Sequence, residues 1–166
     1  MKKKLYLLRH AEARVQGNGE KDKDRMLTSK GMQDASRMGS WLYKNQPGIA
    51  MIYTSQAERA MQTASLIADQ LRLDNDKLQQ HEDLYEASAR LYMDIVRGFN
   101  DSSDRVMLVG HNPVIMYFAE YISGQSIEGG MKTCTLIEIE CETDAWEEVP
   151  EKKGRLINIV HPDDLI

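Results

Sequence analysis

Three short stretches of this chain carry residues whose types suit group transfer. "LLRHAEA" presents Arg9 and His10, "SQAERAMQTA" presents Arg59, and "LVGHNP" presents His111. A neutral imidazole attacks phosphorus through one ring nitrogen when the other donates its proton to a nearby acceptor. Guanidinium groups are planar, permanently charged and matched to phosphate oxygens. Each such charge is worth about 4 kcal/mol at about 4 Å with an effective dielectric near 20, before desolvation. Aimed at the equatorial oxygens of a transferring phosphoryl group, these donors act where charge develops. The set describes a phosphate site with no metal: His10 as nucleophile, Arg9 and Arg59 as phosphate donors, and His111, if protonated, as a further donor.

The opening "KKKLYLLRHAEA" also has the ingredients of an export signal. The reading fails on length, because a signal needs an apolar stretch of roughly 7–15 residues. Here Leu5-Tyr6-Leu7-Leu8 is interrupted by Arg9, His10 and Glu12. A buried first strand, Lys3 to Leu8, explains the same residues.

Elements alternate along the rest of the chain. "EARVQGNGEKDKDRML" is polar and glycine-bearing, which predicts a loop. Thr28 caps a predicted helix to about Gln46, with Gly31, Ala35, Met38 and Leu42 at helical spacing. "GIAMIYTS" reads as a strand, and Ala57 to Leu71 as a helix with Ala60, Met61, Ala64, Ile67, Ala68 and Leu71 on one stripe. A short strand near Leu78 and a helix in "ASARLYMDIVRGFN" follow. "RVMLVG" has the continuous apolar character of a strand buried on both faces. "HNPVIMYFAEYISG" starts a helix at Pro113 and ends it at Gly124. "KTCTLIEIE", part of "AWEEV" and "GRLINIV" close the chain as strands, with antiparallel edge character. The alternation predicts an α/β three-layer sandwich with a mostly parallel central sheet flanked by helices. Ligands in such sheets bind beyond the carboxyl ends of the strands. Arg9-His10, "TSQAER" and Gly110-His111-Asn112-Pro113 each follow a predicted strand, so they converge on one sheet edge. Arg59 falls in the first helical turn, where its charge opposes the helix dipole unless an anion is bound there.

A length of 166 residues suits a single domain over 1–166. The net charge of −5 argues against nucleic acid as a partner, since that footprint is basic. No segment approaches the ~20 apolar residues that span a bilayer, so no membrane association is expected. Cys134 and Cys141 fall in one apparent strand at an odd separation, on opposite faces, and cannot bridge each other. They also lack metal-ligand spacing. With no export signal, a reducing cytoplasm is the expected location. Acidic residues from Glu138 to Glu151 read as a solvated edge.

The ordered set "LLRHAEA", "RMLTSKG", "SQAERAMQTA", "LVGHNP" strongly resembles the histidine phosphatase superfamily, the phosphoglycerate mutase-like group, over most of Leu5 to Pro113. The resemblance implies a phosphoglycerate mutase-like fold, His10 as nucleophile, and Arg9, Arg59 and His111 completing the phosphate pocket, with no cofactor. The short chain looks like the SixA-type phosphohistidine phosphatases, because Arg72 to Asp104 leaves no room for the large helical cap of bigger relatives. An open, shallow site suits a phosphorylated side chain on another protein, such as a histidine phosphotransfer domain or carrier. A small phosphorylated metabolite, with the chain acting as a phosphomonoesterase or mutase, is the first alternative. A phosphate-binding module without turnover is the second, and an intact nucleophile argues against it.

By the same resemblance, Glu86 in "DLYEAS" is the candidate proton donor, with Asp83 and Ser88 as neighbours that confuse the assignment. An alkoxide leaving group needs such an acid, worth roughly 10²–10⁴ in rate. N-protonated phosphohistidine releases imidazole, whose conjugate acid has a pKa of about 6.5, and tolerates a weak acid or none. Arg14 and Arg25 read as solvated loop charges, and His81 and His161 as exposed, with no metal-site spacing. Met38 and Met61 read as core.

Overall fold

The computed structural model describes residues 2–165. Six strands form one sheet: β1 (Lys2–Arg9), β2 (Met51–Thr54), β3 (Leu78–Gln80), β4 (Arg105–Gly110), β5 (Leu136–Glu142) and β6 (Arg155–Val160). Their spatial order is β3-β2-β4-β1-β5-β6. The first four in that order run parallel, while β5 is antiparallel to both β1 and β6. Four helices cover the sheet: α1 (Ser29–Asn45), α2 (Glu58–Leu71), α3 (Ala89–Arg97) and α4 (Val114–Ser123).

Side chains of adjacent strand residues point to opposite faces, so the unbroken apolar runs of β1 and β4 serve two cores. Leu5, Leu7, Val106 and Leu108 pack with Tyr92, Val96, Phe118 and Ile122 of α3 and α4. Tyr6, Leu8, Met107 and Val109 pack with Met38, Leu42, Ala64 and Ile67 of α1 and α2. This is the expected three-layer arrangement. Residues 72–104 hold only β3, α3 and short 3-10 turns, so no large cap overhangs the sheet edge. No helix among the described residues is long and apolar enough to cross a membrane.

Several expectations need correction at the C-terminal end. "AWEEV" is not a strand: Trp146–Glu148 form a 3-10 turn, with the Trp146 ring buried and its indole N–H donated to the Ser103 carbonyl. The acidic stretch is a solvated edge only in part: Glu142, Asp144, Glu147, Glu148 and Glu151 are exposed, whereas the first two acidic residues are not. β6 flanks β5, so Glu138 and Glu140 lie buried, Glu138 against Lys4 and Asn158, Glu140 against Lys2 and Arg155. Opposite charges across neighbouring strands let alternate acidic positions sit inside a sheet. Cys134 precedes β5 with a left-handed φ of 59°. It packs on the α1–α2 side while Cys141 packs on the α3–α4 side, so the two thiols stay apart and free. His81 and His161 are half-buried rather than exposed, His161 sharing a hydrogen bond with Thr135.

The loop between β1 and α1 is tied down at its ends. Ala13 bridges Leu27, the Arg14 N–H donates to Met26, and the Thr28 N–H donates to Glu12. Thr28 caps α1 by accepting the Gly31 N–H at 3.0 Å. Gly31 lets the Glu12 carbonyl come so close that a Cβ there would overlap its oxygen. Alanine is intrinsically favoured over glycine in a helix by about 1 kcal/mol. Against immovable backbone, overpacking costs about 1–3 kcal/mol or more. Gly31→Ala is therefore expected to lower the denaturant midpoint despite its better helix propensity, and an unchanged or raised midpoint contradicts that close approach.

Candidate active site

Strand register brings the chemical residues together. In the parallel ladder Arg9 faces Gly110 and Thr54 faces Val109, so β1, β2 and β4 end at one level. The ladder runs one step further: the His10 N–H donates to Gly110 and the Ser55 N–H to Val109, each at 3.1 Å. Arg9 is the last residue of β1, Arg59 lies in the first turn of α2, and His111 follows β4. The four converge as expected around a cavity of about 260 Å³ shared with Glu12, Arg25, Asn112 and Thr133. The two imidazole centroids are 5.2 Å apart.

The geometry fixes the proton on His10. Its Nδ1 lies 2.7 Å from the Ala11 carbonyl oxygen, which only accepts. In the neutral ring the proton is therefore on Nδ1, and Nε2 carries a free lone pair. Burial is the main cause that pushes the His10 pKa down to about 3, with His111, Arg59 and Arg9 adding repulsion against the hydrogen bond to Ala11. Burial likewise lowers His111 to about 4, helped by Arg59. His111 is thus neutral near pH 7 and offers a hydrogen bond rather than a full positive charge. Its Nε2 lies 2.7 Å from the buried Ser55 hydroxyl.

Each arginine is held by the backbone of a different element. Arg9 donates to the Met131 carbonyl at 2.9 Å. Arg59 donates to the Asp22 carbonyl at 2.9 Å and to the Asp22 carboxylate at 3.0 Å. The same carboxylate accepts from the Tyr85 hydroxyl at 2.6 Å and from Arg25 Nε at 3.0 Å. Tyr85, Arg59 and Arg25 together hold the Asp22 pKa down to about 2, with the tyrosine bond the largest contributor. The carboxylate therefore stays ionised and balances part of the arginine charge. The site is accordingly less purely cationic than the sequence suggests. Of the five buried side-chain nitrogens and oxygens without a hydrogen-bond partner among the described residues, four belong to Arg9, Arg59, His111 and Asn112. Unmet polar capacity is thus concentrated where an anion would meet arginine and imidazole.

Glu86 is placed differently from the four. It is exposed and lines an adjoining cavity of about 480 Å³ with Lys21, Asp22, Tyr85 and others, whereas His10 lines the smaller one. Asp83 lines that neighbouring cavity too, and Ser88 caps α3 by accepting the Leu91 N–H. Arg25 belongs to the site rather than to the solvated loop, whereas Arg14 is exposed. Sequence reasoning missed Asp22, Tyr85 and Ser55. Ser55 had a usable signal, since it follows β2 by the same carboxyl-end rule that picked out Arg59. Asp22 meets Arg59 from 37 residues upstream, and Tyr85, 26 residues downstream of Arg59, bonds the same carboxylate as the chain folds back over the helix start. No group of three or more His, Cys, Asp and Glu among the described residues is placed to hold a metal ion.

Burial of two neutral imidazoles makes stability fall with acid. The unfolded chain takes up protons as pH drops through about 6.5, whereas the folded rings stay neutral down to about 4 and 3. The unfolded state therefore binds more protons across that window, and stability is lost on acidification. At pH 5 each ring costs about 2 kcal/mol relative to pH 7. In His10→Gln, the drop in unfolding free energy from pH 7 to pH 5 is expected to be about 2 kcal/mol smaller than in the wild type. Equal drops in denaturant titrations would contradict the buried neutral state.

Comparison with known proteins places the geometry in context. The family model for the histidine phosphatase superfamily (branch 1) matches residues 5–97. An uncharacterized protein of Mycobacterium leprae is 28% identical over 103 residues, 62% of this chain and 61% of the relative. One from Mycobacterium tuberculosis is 29% identical over 106 residues, 64% of this chain and 63% of the relative. The match thus spans about three fifths of the length of these curated relatives. Among solved structures, the protein histidine phosphatase SixA complexed with tungstate superposes with a TM-score of 0.84 at 19% identity, covering 98% of this chain and 99% of that one. A protein named SixA from Agrobacterium tumefaciens gives 0.81 at 24% identity over 96% and 98%. Mycobacterial glucosyl-3-phosphoglycerate phosphatase gives 0.64 at 17% identity over 94% and 97%. At these identities the superpositions speak for the fold.

Proposed function

The chain belongs to the histidine phosphatase superfamily, and from its site we propose that it is a metal-independent phosphatase that hydrolyses phosphohistidine on another protein through a phospho-His10 intermediate. The observation that carries the reading is the neutral His10 ring, its Nδ1–H donated to Ala11 and its Nε2 bare, between Arg9 and Arg59. Such a ring is a nucleophile at neutral pH without any base to deprotonate it.

The reaction then runs in two displacements. His10 Nε2 forms a bond to phosphorus while the bond from phosphorus to the substrate imidazole breaks. The leaving ring departs neutral, because the substrate was protonated on its other nitrogen. The enzyme is left as an imidazolium bearing the phosphoryl group, Nδ1–H still on Ala11. Water attacks phosphorus, the bond to Nε2 breaks, the water proton passes to a phosphate oxygen, and His10 regains its lone pair. Arg9, Arg59 and the His111 ring donate to the phosphoryl oxygens throughout.

A protein substrate is supported by the exposed site edge, which no large cap covers. The position of Glu86 on the neighbouring cavity also fits a leaving group that needs little proton assistance. Soluble expression in a reducing cytoplasm fits the two free thiols.

The test is turnover with divalent metals chelated, on a phosphohistidine-bearing protein domain and, separately, on a sugar phosphate. Rapid loss of phosphohistidine and an acid-labile phosphoenzyme are expected, both abolished in His10→Ala. Glu86→Gln is expected to change phosphohistidine turnover less than about threefold, far below the roughly 10²–10⁴ of an essential acid. Faster turnover of the sugar phosphate, with a large Glu86→Gln loss, would move the substrate to small phosphorylated metabolites. Tight phosphate binding with no phosphoenzyme on either substrate would point to a binding module.

A further inference from the structure

Ser55 is in contact with the reacting cluster but has no part in the chemistry above. It is wholly buried at the end of β2, and its N–H is fixed on Val109. Its hydroxyl oxygen accepts the Ala57 N–H at 3.2 Å, at the entry to α2, and lies 2.7 Å from His111 Nε2. His111 Nδ1 is buried and has no hydrogen-bond partner among the described residues.

Hydrogen-bond accounting separates the two neutral forms of His111. Were the proton on Nε2, it would be donated to Ser55, and the serine hydroxyl proton would then need a second acceptor. The side chain has none besides His111, and Nδ1 would be left as an unpaired buried acceptor as well. With the proton on Nδ1, Ser55 donates to Nε2 and accepts from Ala57, so both serine functions are met. The one donor left over is Nδ1–H, on a ring that lines the cavity with Arg9 and Arg59, where phosphoryl oxygens can take it. An unpaired acceptor there would instead repel those oxygens. The second form leaves fewer buried groups unsatisfied, and it matches the ligand the arginines select.

We infer that Ser55 is a positioning residue that sets the tautomer of His111, donating to its Nε2 so that Nδ1–H faces the phosphoryl group. The catalytic consequence rests on the phosphatase reading given above, while the tautomer itself does not. The device works on a neutral ring, in keeping with the burial that lowers the His111 pKa. It also links the phosphate pocket to α2, because the same serine oxygen anchors the turn that delivers Arg59.

Nitrogen-15 NMR of the imidazole rings reads the tautomer directly, and with four histidines in the chain the His111 signals are assigned by their loss in His111→Asn. In the wild type at neutral pH a proton is expected on Nδ1 and a bare Nε2, with the Nδ1 signal moving when inorganic phosphate is added. Ser55→Ala is expected to shift the ring toward Nε2–H and to lower kcat/KM on the phosphorylated substrate by roughly 10- to 100-fold, as when a group orienting an imidazole is removed. Ser55→Thr, which keeps the hydroxyl, is expected to retain the Nδ1–H form. A wild-type ring protonated on Nε2 would overturn the inference even if Ser55→Ala failed to fold. So would an unchanged tautomer and unchanged kcat/KM in a folded Ser55→Ala. Nδ1–H in the wild type with no turnover on any substrate would uphold the tautomer assignment while failing the phosphatase reading.

Discussion

The hydrogen-bonded register of β4 between β1 and β2 is the constraint on which the site depends. It sets Arg9 level with Gly110 and Thr54 level with Val109. The next residues, His10, Ser55 and His111, then leave the sheet at one height. A side chain that leaves a strand end reaches only a few ångströms, so a slip of one residue would turn every strand residue to the other face. The register is itself secured by burial, because β1 and β4 are apolar on both faces and a slip would exchange the contents of two cores.

Burial also decides the chemistry. Taking two imidazoles out of water favours their uncharged forms, and the nearby arginines push the same way. A carbonyl on His10 Nδ1 and a hydroxyl on His111 Nε2 then leave one open nitrogen on each ring. The arginines are steadied by acceptors on other elements, Met131 for Arg9 and Asp22 for Arg59. Holding a guanidinium before its ligand arrives lowers the ordering cost of binding. Asp22 adds a second effect, since its carboxylate balances Arg59 and its tyrosine partner comes from the segment after β3. The loop after β1 and the turn before α3 are thereby joined through one carboxylate.

Most of the layer architecture was legible because it follows from periodicity. Two-sided apolar runs marked β1 and β4, and the Thr28 cap and Gly124 stop marked helix limits that the structure reproduces within a residue or two. Errors gathered where long-range pairing overrides local pattern. Glu138 and Glu140 look like surface residues until Lys4, Lys2, Asn158 and Arg155 from neighbouring strands are placed beside them. "AWEEV" looks like a strand until Trp146 is seen to fill the space under β1 and α3 as a turn.

For the site, the sequence by itself determined which residues stand at strand ends: Arg9, His10, Arg59 and His111 each follow a recognisable strand, and ligands gather at such ends in parallel sheets. Composition and motif order were enough for that, because residue type and distance along the chain are local properties. Only the tertiary structure decided the protonation state of the two histidines and the recruitment of Asp22, Tyr85 and Ser55. Those depend on burial and on contacts between segments tens of residues apart. Electrostatic and hydrogen-bond energies follow distance in space, which the order of residues in a chain does not record.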